Sequence, residues 1–281
     1  MKSFPLASIS VDNGALDVGN GYIWGYVATG GSSYDIGPNG SVKGEDTPSG
    51  VDEDPLRISF DFKADLPDAT APSLTPDRTS LSAGDVGDPS ASWSSDPEVY
   101  ILSSSFSLSG KNDINVVGPT VIIVDGNFSF SGKAELNILG PDAYLELYVS
   151  GDVSLTGQGV FNDEENPEAF QLWGTAPSGT SQTINVAGNG DFAGIIYAPN
   201  SDLEIKGNGN ISGAAVGEDI TLTGNAAFHY DLNLKNFDSD GSFGIKRWRE
   251  LRGSTEWLDF SSTSALAPAV APLQPSINLP L

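Results

Sequence analysis

Cysteine is absent from the 281 residues, histidine and methionine occur once each, and 13 basic residues stand against 37 acidic ones. Without cysteine there are no disulfides and no thiolate metal sites, although this alone fixes no compartment. A single imidazole, His229, removes most histidine-based catalysis and any histidine-rich metal centre. The shortage of Lys and Arg leaves a formal net charge of −24. That balance argues against nucleic acid, whose phosphates require a basic face, and against unaided binding to an anionic membrane. No apolar run approaches the ~20 residues of a membrane helix. The opening MKSFPLASIS has neither the cationic start nor the apolar segment of a secretory signal. High negative charge favours solubility outside the cell, so the expected location is extracellular or at the cell surface, with no targeting segment in the sequence itself.

Glycine is plentiful instead, at 33 residues, roughly 12% against a usual ~7%. Much of it falls in one repeated unit. Gly188-Asn189-Gly190-Asp191-Phe192-Ala193-Gly194, Gly207-Asn208-Gly209-Asn210-Ile211-Ser212-Gly213 and the looser Gly224-Asn225-Ala226-Ala227-Phe228-His229 each follow a short alternating strand. Gly19-Asn20-Gly21-Tyr22-Ile23-Trp24-Gly25 carries the same pattern, and Gly37 opens another copy. Gly19 to Gly37, Gly188 to Gly207 and Gly207 to Gly224 are 18, 19 and 17 residues apart, close to one turn of a β-solenoid. Between 100 and 157 a second corner recurs at Gly110, Gly132 and Gly157. A sandwich has no reason to repeat its corner residues at near-constant spacing, whereas stacked coils place each corner about 4.8 Å above the last. The predicted fold is therefore all-β, a right-handed parallel β-helix or β-solenoid. Its corners are Gly19, Asn20, Gly188, Asn189, Gly207, Asn208, Gly224 and Asn225, where Gly and Asn tolerate positive φ. The asparagines share one repeat position, so stacked side-chain amides are expected; isolated Asn-Gly hairpin turns are the simpler alternative. The solenoid reading requires Ile205 and Leu222 to point inward one coil apart.

The organisation follows from the same pattern. Residues 1–50 form N-terminal solenoid coils, and 51–98, rich in Pro, Asp and Ser, form a surface excursion or linker. Within that stretch, residues 56–62 alternate like a strand. Residues 99–235 form the main solenoid, with His229 marking the end of its stack. Residues 236–260 form a short capping segment, and 261–281, with Pro268, Pro272, Pro275 and Pro280, an extended or disordered tail.

Segment 100–234 carries four further signatures: 124–132 (VDGNFSFSG), 147–157 (LYVSGDVSLTG), 194–200 (GIIYAPN) and the closing Phe228-His229-Tyr230-Asp231. As a set they resemble the β-helical domain of bacterial surface proteins associated with type IV pilus assembly, of the PilX-like kind. A similar ending occurs in choice-of-anchor surface domains. The resemblance implies a structural, adhesion or assembly module with no established catalytic residues. Its partners would be other surface or pilus proteins or surface glycans. The hydrophobic prepilin helix of such proteins is not found in this sequence.

Candidate chemistry is sparse. Tyr22, Trp24 and Tyr26 alternate and so share one face; exposed they could stack on sugars or a partner, and inward they are core. His229 joins them as a ligand-face candidate, against a structural role bonding its own rung. Asp238 and Asp240, in the Asp238-Ser239-Asp240-Gly241 turn, offer hard oxygens suited to Ca²⁺. They do not complete an EF-hand loop, and a solvated acidic turn explains them as well; no other cofactor is expected. The alternative function is a carbohydrate-active β-helix enzyme, a polysaccharide lyase or glycosidase. Asp191, Asp202, Glu204 or Asp219 on adjacent coils could supply the two carboxylates, about 5–10 Å apart, that sugar hydrolysis needs. Lyases need a basic group, and the regular rungs hold only Lys111, Lys133 and Lys206. The Gly188-Asn189-Gly190 triplet is no nucleotide loop, because its spacing to Gly194 is wrong and no βαβ unit follows.

Overall fold

The structure is a computed structural model that describes residues 6–230, apart from 9, 61, 63–65, 157–158, 189–191, 208–209 and 225–226, together with 234. Asn189, Asp191, Asn208, Asn225, Asp238, Asp240, the capping segment 236–260 and the tail 261–281 lie outside the described residues. The chain is all-β, and every strand pairing is parallel, rung on rung, in a β-solenoid of about eight turns. Each full turn contributes three strands, and they stack into three faces.

Face A stacks Glu98–Leu102, Pro119–Val124, Tyr144–Val149, Phe170–Gly174, residues 195–198 and residues 214–217. Face B stacks Phe106–Leu108, Phe128–Phe130, Val153–Leu155, Gln182–Gly188, residues 201–207 and residues 219–224. Face C begins with Gly84–Val86, Asp113–Val116, Glu135–Ile138 and Gly159–Asn162. It continues through residues 192–194, residues 210–213 and Ala227–Tyr230. Between Gly159–Asn162 and the next rung, the Asn162 amide donates to the Ala193 carbonyl at 3.2 Å, bridging the ladder with a side chain.

The alternation seen in the sequence is the alternation of inside and outside. Val153, Leu155, Ile184, Val186, Leu203, Ile205, Ile220 and Leu222 are at most 4% exposed, while Ser154, Asn185, Glu204 and Thr221 between them face out. Ile205 and Leu222 are register partners, both inward, one coil apart, as the solenoid reading requires. All three faces bury into one core, where aromatic rings stack between coils, Phe106 on Phe128 at 5.4 Å among them.

The N-terminal coils are not a separate piece. Leu6–Ser8 pairs with residues 215–217 on face A, Leu16–Gly19 lies on residues 220–221 of face B, and Tyr22–Trp24 lies on Ala227–Tyr230 of face C. One coil is thus composite: its face C strand comes from the C-terminal half, and its other two strands come from the first 19 residues. Val27–Thr29, Asp35–Ile36, Ser41–Lys43 and Ile58–Ser59 continue the stack above it. His229 therefore does not end the stack: rungs containing Trp24 and Lys43 lie beyond it in the same column.

The stretch 51–98 is correspondingly a return path with rungs at both ends. Ile58–Ser59 and Gly84–Val86 both belong to the stack. The strand expected over 56–62 is shortened, because Pro55–Arg57 forms a 3₁₀ turn whose Leu56 amide donates to Asp54 Oδ1 at 3.0 Å. The Phe62 amide then bonds the Thr29 carbonyl, and the Asp77 and Arg78 amides reach the Val99 carbonyl far down the same face. Nine rung spacings at about 4.8 Å separate Phe62 from Asp77, about 43 Å in all. A polyproline-like chain of fifteen residues at about 3.1 Å each covers that distance with little slack. Pro67, Pro72 and Pro76 suit this chain because it needs no ladder hydrogen bonds of its own. Leu66 and Ala69 pack on an outward column of face A, Ile101, Ile123, Tyr148, Trp173, Tyr197 and Val216. The Tyr197 hydroxyl donates to the Pro67 carbonyl at 2.8 Å.

Candidate ligand-binding face

The corners come first because they set which side chains project. Gly19 has φ +53°, and a Cβ there would sit 2.6 Å from the Leu222 carbonyl oxygen of the coil below, so two independent restrictions demand glycine. Gly188 pairs with Gly207, and Gly207 with Gly224, in one column. The side chain of Asn20 accepts from the Asn39 amide at 3.3 Å. The stacked amides expected at Asn189, Asn208 and Asn225 fall outside the described residues; on the outside of face C, Asn137 Nδ2 donates to Asn115 Oδ1 at 3.0 Å, and Asn115 Nδ2 to Asp85 Oδ1 at 2.9 Å. Another corner is built by relay. Ser105 Oγ accepts from the Asn127 amide, Asn127 Oδ1 from the Asp152 amide, and Asp152 Oδ1 from the Thr183 amide, each at 2.9 Å.

Tyr22 and Trp24 flank the inward Ile23 and point away from the core, 46% and 51% exposed. Strand rise puts them about 6.6 Å apart on a flat surface. Below them in register lie Ala227 and His229; above them lie Ser41 and Lys43. Lys43 Nζ is held 2.6 Å from Asp52. Tyr26 does not share this face. Gly25, at φ +157°, ends the strand at Trp24, and the Tyr26 ring instead lies under the Arg57 guanidinium, 4.7 Å from its centroid. Arg57 is buried and also pairs with Asp54 at 3.3 Å. The Thr47 hydroxyl, the Leu56 amide and Arg57 hold the Asp54 carboxyl below its usual range, with the Thr47 bond the largest influence. Arg57 was not legible as part of this end, since strand periodicity carries no information about a side chain folding back from a turn.

The carboxylates proposed for sugar hydrolysis are partly brought together. Asp202 and Asp219 are register partners on successive coils, so their backbones stand about 4.8 Å apart. Burial pushes the Asp219 carboxyl up, with Asp202 and Asp12 adding to the effect and a hydrogen bond from Ser10 opposing it. Glu218 is raised by burial and by Asp219, Asp202 and Asp12. Glu204 is engaged otherwise, 2.6 Å from Lys206 and accepting from Asn185 at 3.2 Å. The Asp12 contribution was invisible in the sequence because it depends on the N-terminal segment docking against residues 215–221. Among the described residues no group of three or more His, Asp or Glu is placed to hold a metal ion, and no helix is long and apolar enough to cross a membrane.

These features define a parallel β-solenoid with a strapped face and, on another face, the half-exposed Tyr22–Trp24 pair. Residues 73–237 match the family model described as a domain of unknown function, DUF7305; the match spans more than half of the chain, which belongs to that family. No curated protein matches the sequence. The matched region holds the lower coils and His229, whereas Tyr22, Trp24 and the coils above them lie outside it.

Proposed function

We propose that this chain is a non-catalytic adhesion or assembly module of a bacterial cell-surface or pilus-like system. The observation that carries the reading is the outward Tyr22–Trp24 pair, two half-exposed aromatics on a flat sheet. Exposed aromatics set on rigid strands are the residues that most often anchor partners, and parallel coils hold them at fixed spacing without any moving part. The negative charge and the resemblance of segment 100–234 to pilus-associated surface domains support a place outside the cell. Antibody labelling of intact producing cells, combined with retention of cell-envelope fractions on immobilised protein, tests the reading. Surface labelling and retention that falls in the Trp24→Ala variant are expected; labelling only after cell lysis would overturn it.

A second reading has its own observation: Asp202 and Asp219 on adjacent coils, one with a raised carboxyl, resemble the two-carboxylate requirement of a glycosidase. Reducing-end release from a polysaccharide panel, abolished in Asp202→Asn or Asp219→Asn, would favour that enzyme over the structural module.

A further inference from the structure

We propose that the Tyr22–Trp24 platform binds a neutral polysaccharide, laid across face C with ring faces on the two aromatic side chains. This deepens the adhesion reading and rests on it. The first argument is shape. Above Tyr22 in its column lies only the buried Ser41, so nothing bulky on that side stands over the ring. Trp24 is the most exposed aromatic of the described residues, and both rings project from one three-residue strand whose Ile23 is locked in the core. Two flat apolar surfaces about 6.6 Å apart on a rigid strand suit successive rings of an extended sugar chain.

The second argument is the chemistry around the rings. The neighbours of Trp24 in its column are polar: His229 one rung below with Ser212 beneath it, and Lys43 one rung above. Imidazole, hydroxyl and ammonium beside an aromatic face supply donors and acceptors for sugar hydroxyls, the usual mixture of an apolar wall with a few placed polar groups.

The third argument is charge, and it selects among glycans. The nearest cation, Lys43, is already paired with Asp52, and Glu53 follows in the segment above. With a net charge of −24 on the chain, a polyanion would approach against repulsion with no free cation in this column to meet it. A neutral chain meets no such barrier.

Affinity electrophoresis of the full chain through gels containing hydroxyethyl cellulose, xylan, galactomannan, alginate or polygalacturonate tests the proposal. Retardation by at least one neutral polymer and by neither acidic polymer is expected. Trp24→Ala is expected to weaken it about tenfold, the effect of losing roughly 1.4 kcal/mol of stacking and burial. Trp24→Phe, which keeps a ring, should retain most of the binding. Phe161→Ala, removing another exposed aromatic from the same side, should bind as the parent does. Circular dichroism of each variant confirms that the coils are intact. No retardation by any neutral polymer, retardation unchanged in Trp24→Ala, or stronger retardation by the acidic polymers would each overturn the proposal. Retention of envelope proteins without any glycan binding would remove the glycan and leave the adhesion reading standing.

Discussion

Truncating Phe228 tests the composite coil directly. Its ring is 2% exposed and sits in register between Ile211 below and Ile23 above, so it is the core contact through which the lower stack holds the N-terminal coils on face C. Phe228→Ala should cost about 3–5 kcal/mol, the usual range for a buried aromatic replaced by alanine. In a stack whose stability is a sum of coils and nearest-neighbour interfaces, that loss falls on the interfaces of Ala227–Tyr230 with the strands directly below and above it. The coils above it can then open without the coils below. At 1.4 kcal/mol per factor of ten, the opening constant of residues 22–43 should rise roughly 10²- to 10³-fold. Hydrogen exchange read by mass spectrometry resolves the two regions: peptides covering 22–43 should lose protection, and those covering 113–149 should keep it. Adding Ile23→Ala should cost less than the sum of the two single changes, because the side chains touch across the interface. Equal loss of protection in 113–149, or additive costs, would refute the argument that the composite coil couples the N-terminal coils to a lower stack that holds without them.

Three other outcomes follow from particular contacts. Gly213 has φ +142°, and a Cβ there would lie 1.9 Å from the Gly194 carbonyl oxygen; Gly213→Ala should therefore cost about 3 kcal/mol or more and lower Tm by roughly 6–12 °C in a thermal melt. Tyr197→Phe removes the 2.8 Å bond to the Pro67 carbonyl, about 1 kcal/mol, and should speed thermolysin cleavage within 66–78 roughly fivefold while leaving Tm nearly unchanged. Asp219 and Glu218 have raised carboxyl pKa values in the folded state, so the folded form binds more protons than the unfolded one above the ordinary carboxylate range. Stability should fall as pH rises through their folded pKa values, and urea midpoints should improve on mild acidification from neutral pH, less so in Asp219→Asn. Below the ordinary range the lowered carboxyls of Asp54 and Asp88 take over, and protonating them should destabilise.

The coil architecture was legible because a parallel stack imposes the same local demand at every level. Gly19 and Gly224 have positive φ, and Ile205 and Leu222 are inward for the reason that Ile184 and Ile220 are. What the repeats could not carry was order in space. Nothing in Leu6-Ala7-Ser8 states that it pairs with residues 215–217, since any inward-alternating strand presents the same edge. Reading His229 as the end of a stack failed on that point. The aromatic face was half legible: alternation correctly grouped Tyr22 with Trp24, but Tyr26 fell beyond a corner that Gly25 makes, and Arg57 drew its ring away. A side-chain amide ladder that the sequence did not single out runs through Asn115 and Asn137, whose stacking depends only on register.

The composite coil also explains why a return strap is present at all. The N-terminal coils are made first but cannot complete their lower edge until residues 215–229 exist, more than 200 positions later. Loop closure over such a separation is slow and exposes an open apolar edge meanwhile. A run of some fifty residues is also too small to bury a self-sufficient core. The strap alters both conditions. Because it is extended and seated along the outward column of Tyr148, Trp173 and Tyr197, each coil that forms below gives it another contact. Its upper end is thereby held beside the edge where the N-terminal coils must dock. The encounter becomes intramolecular at short range, with an effective concentration set by the remaining slack and not by the full contour of the chain. On this argument the Pro-rich composition of 66–78 is a folding requirement as much as a connection: a flexible linker of equal length would join the same ends without keeping them near.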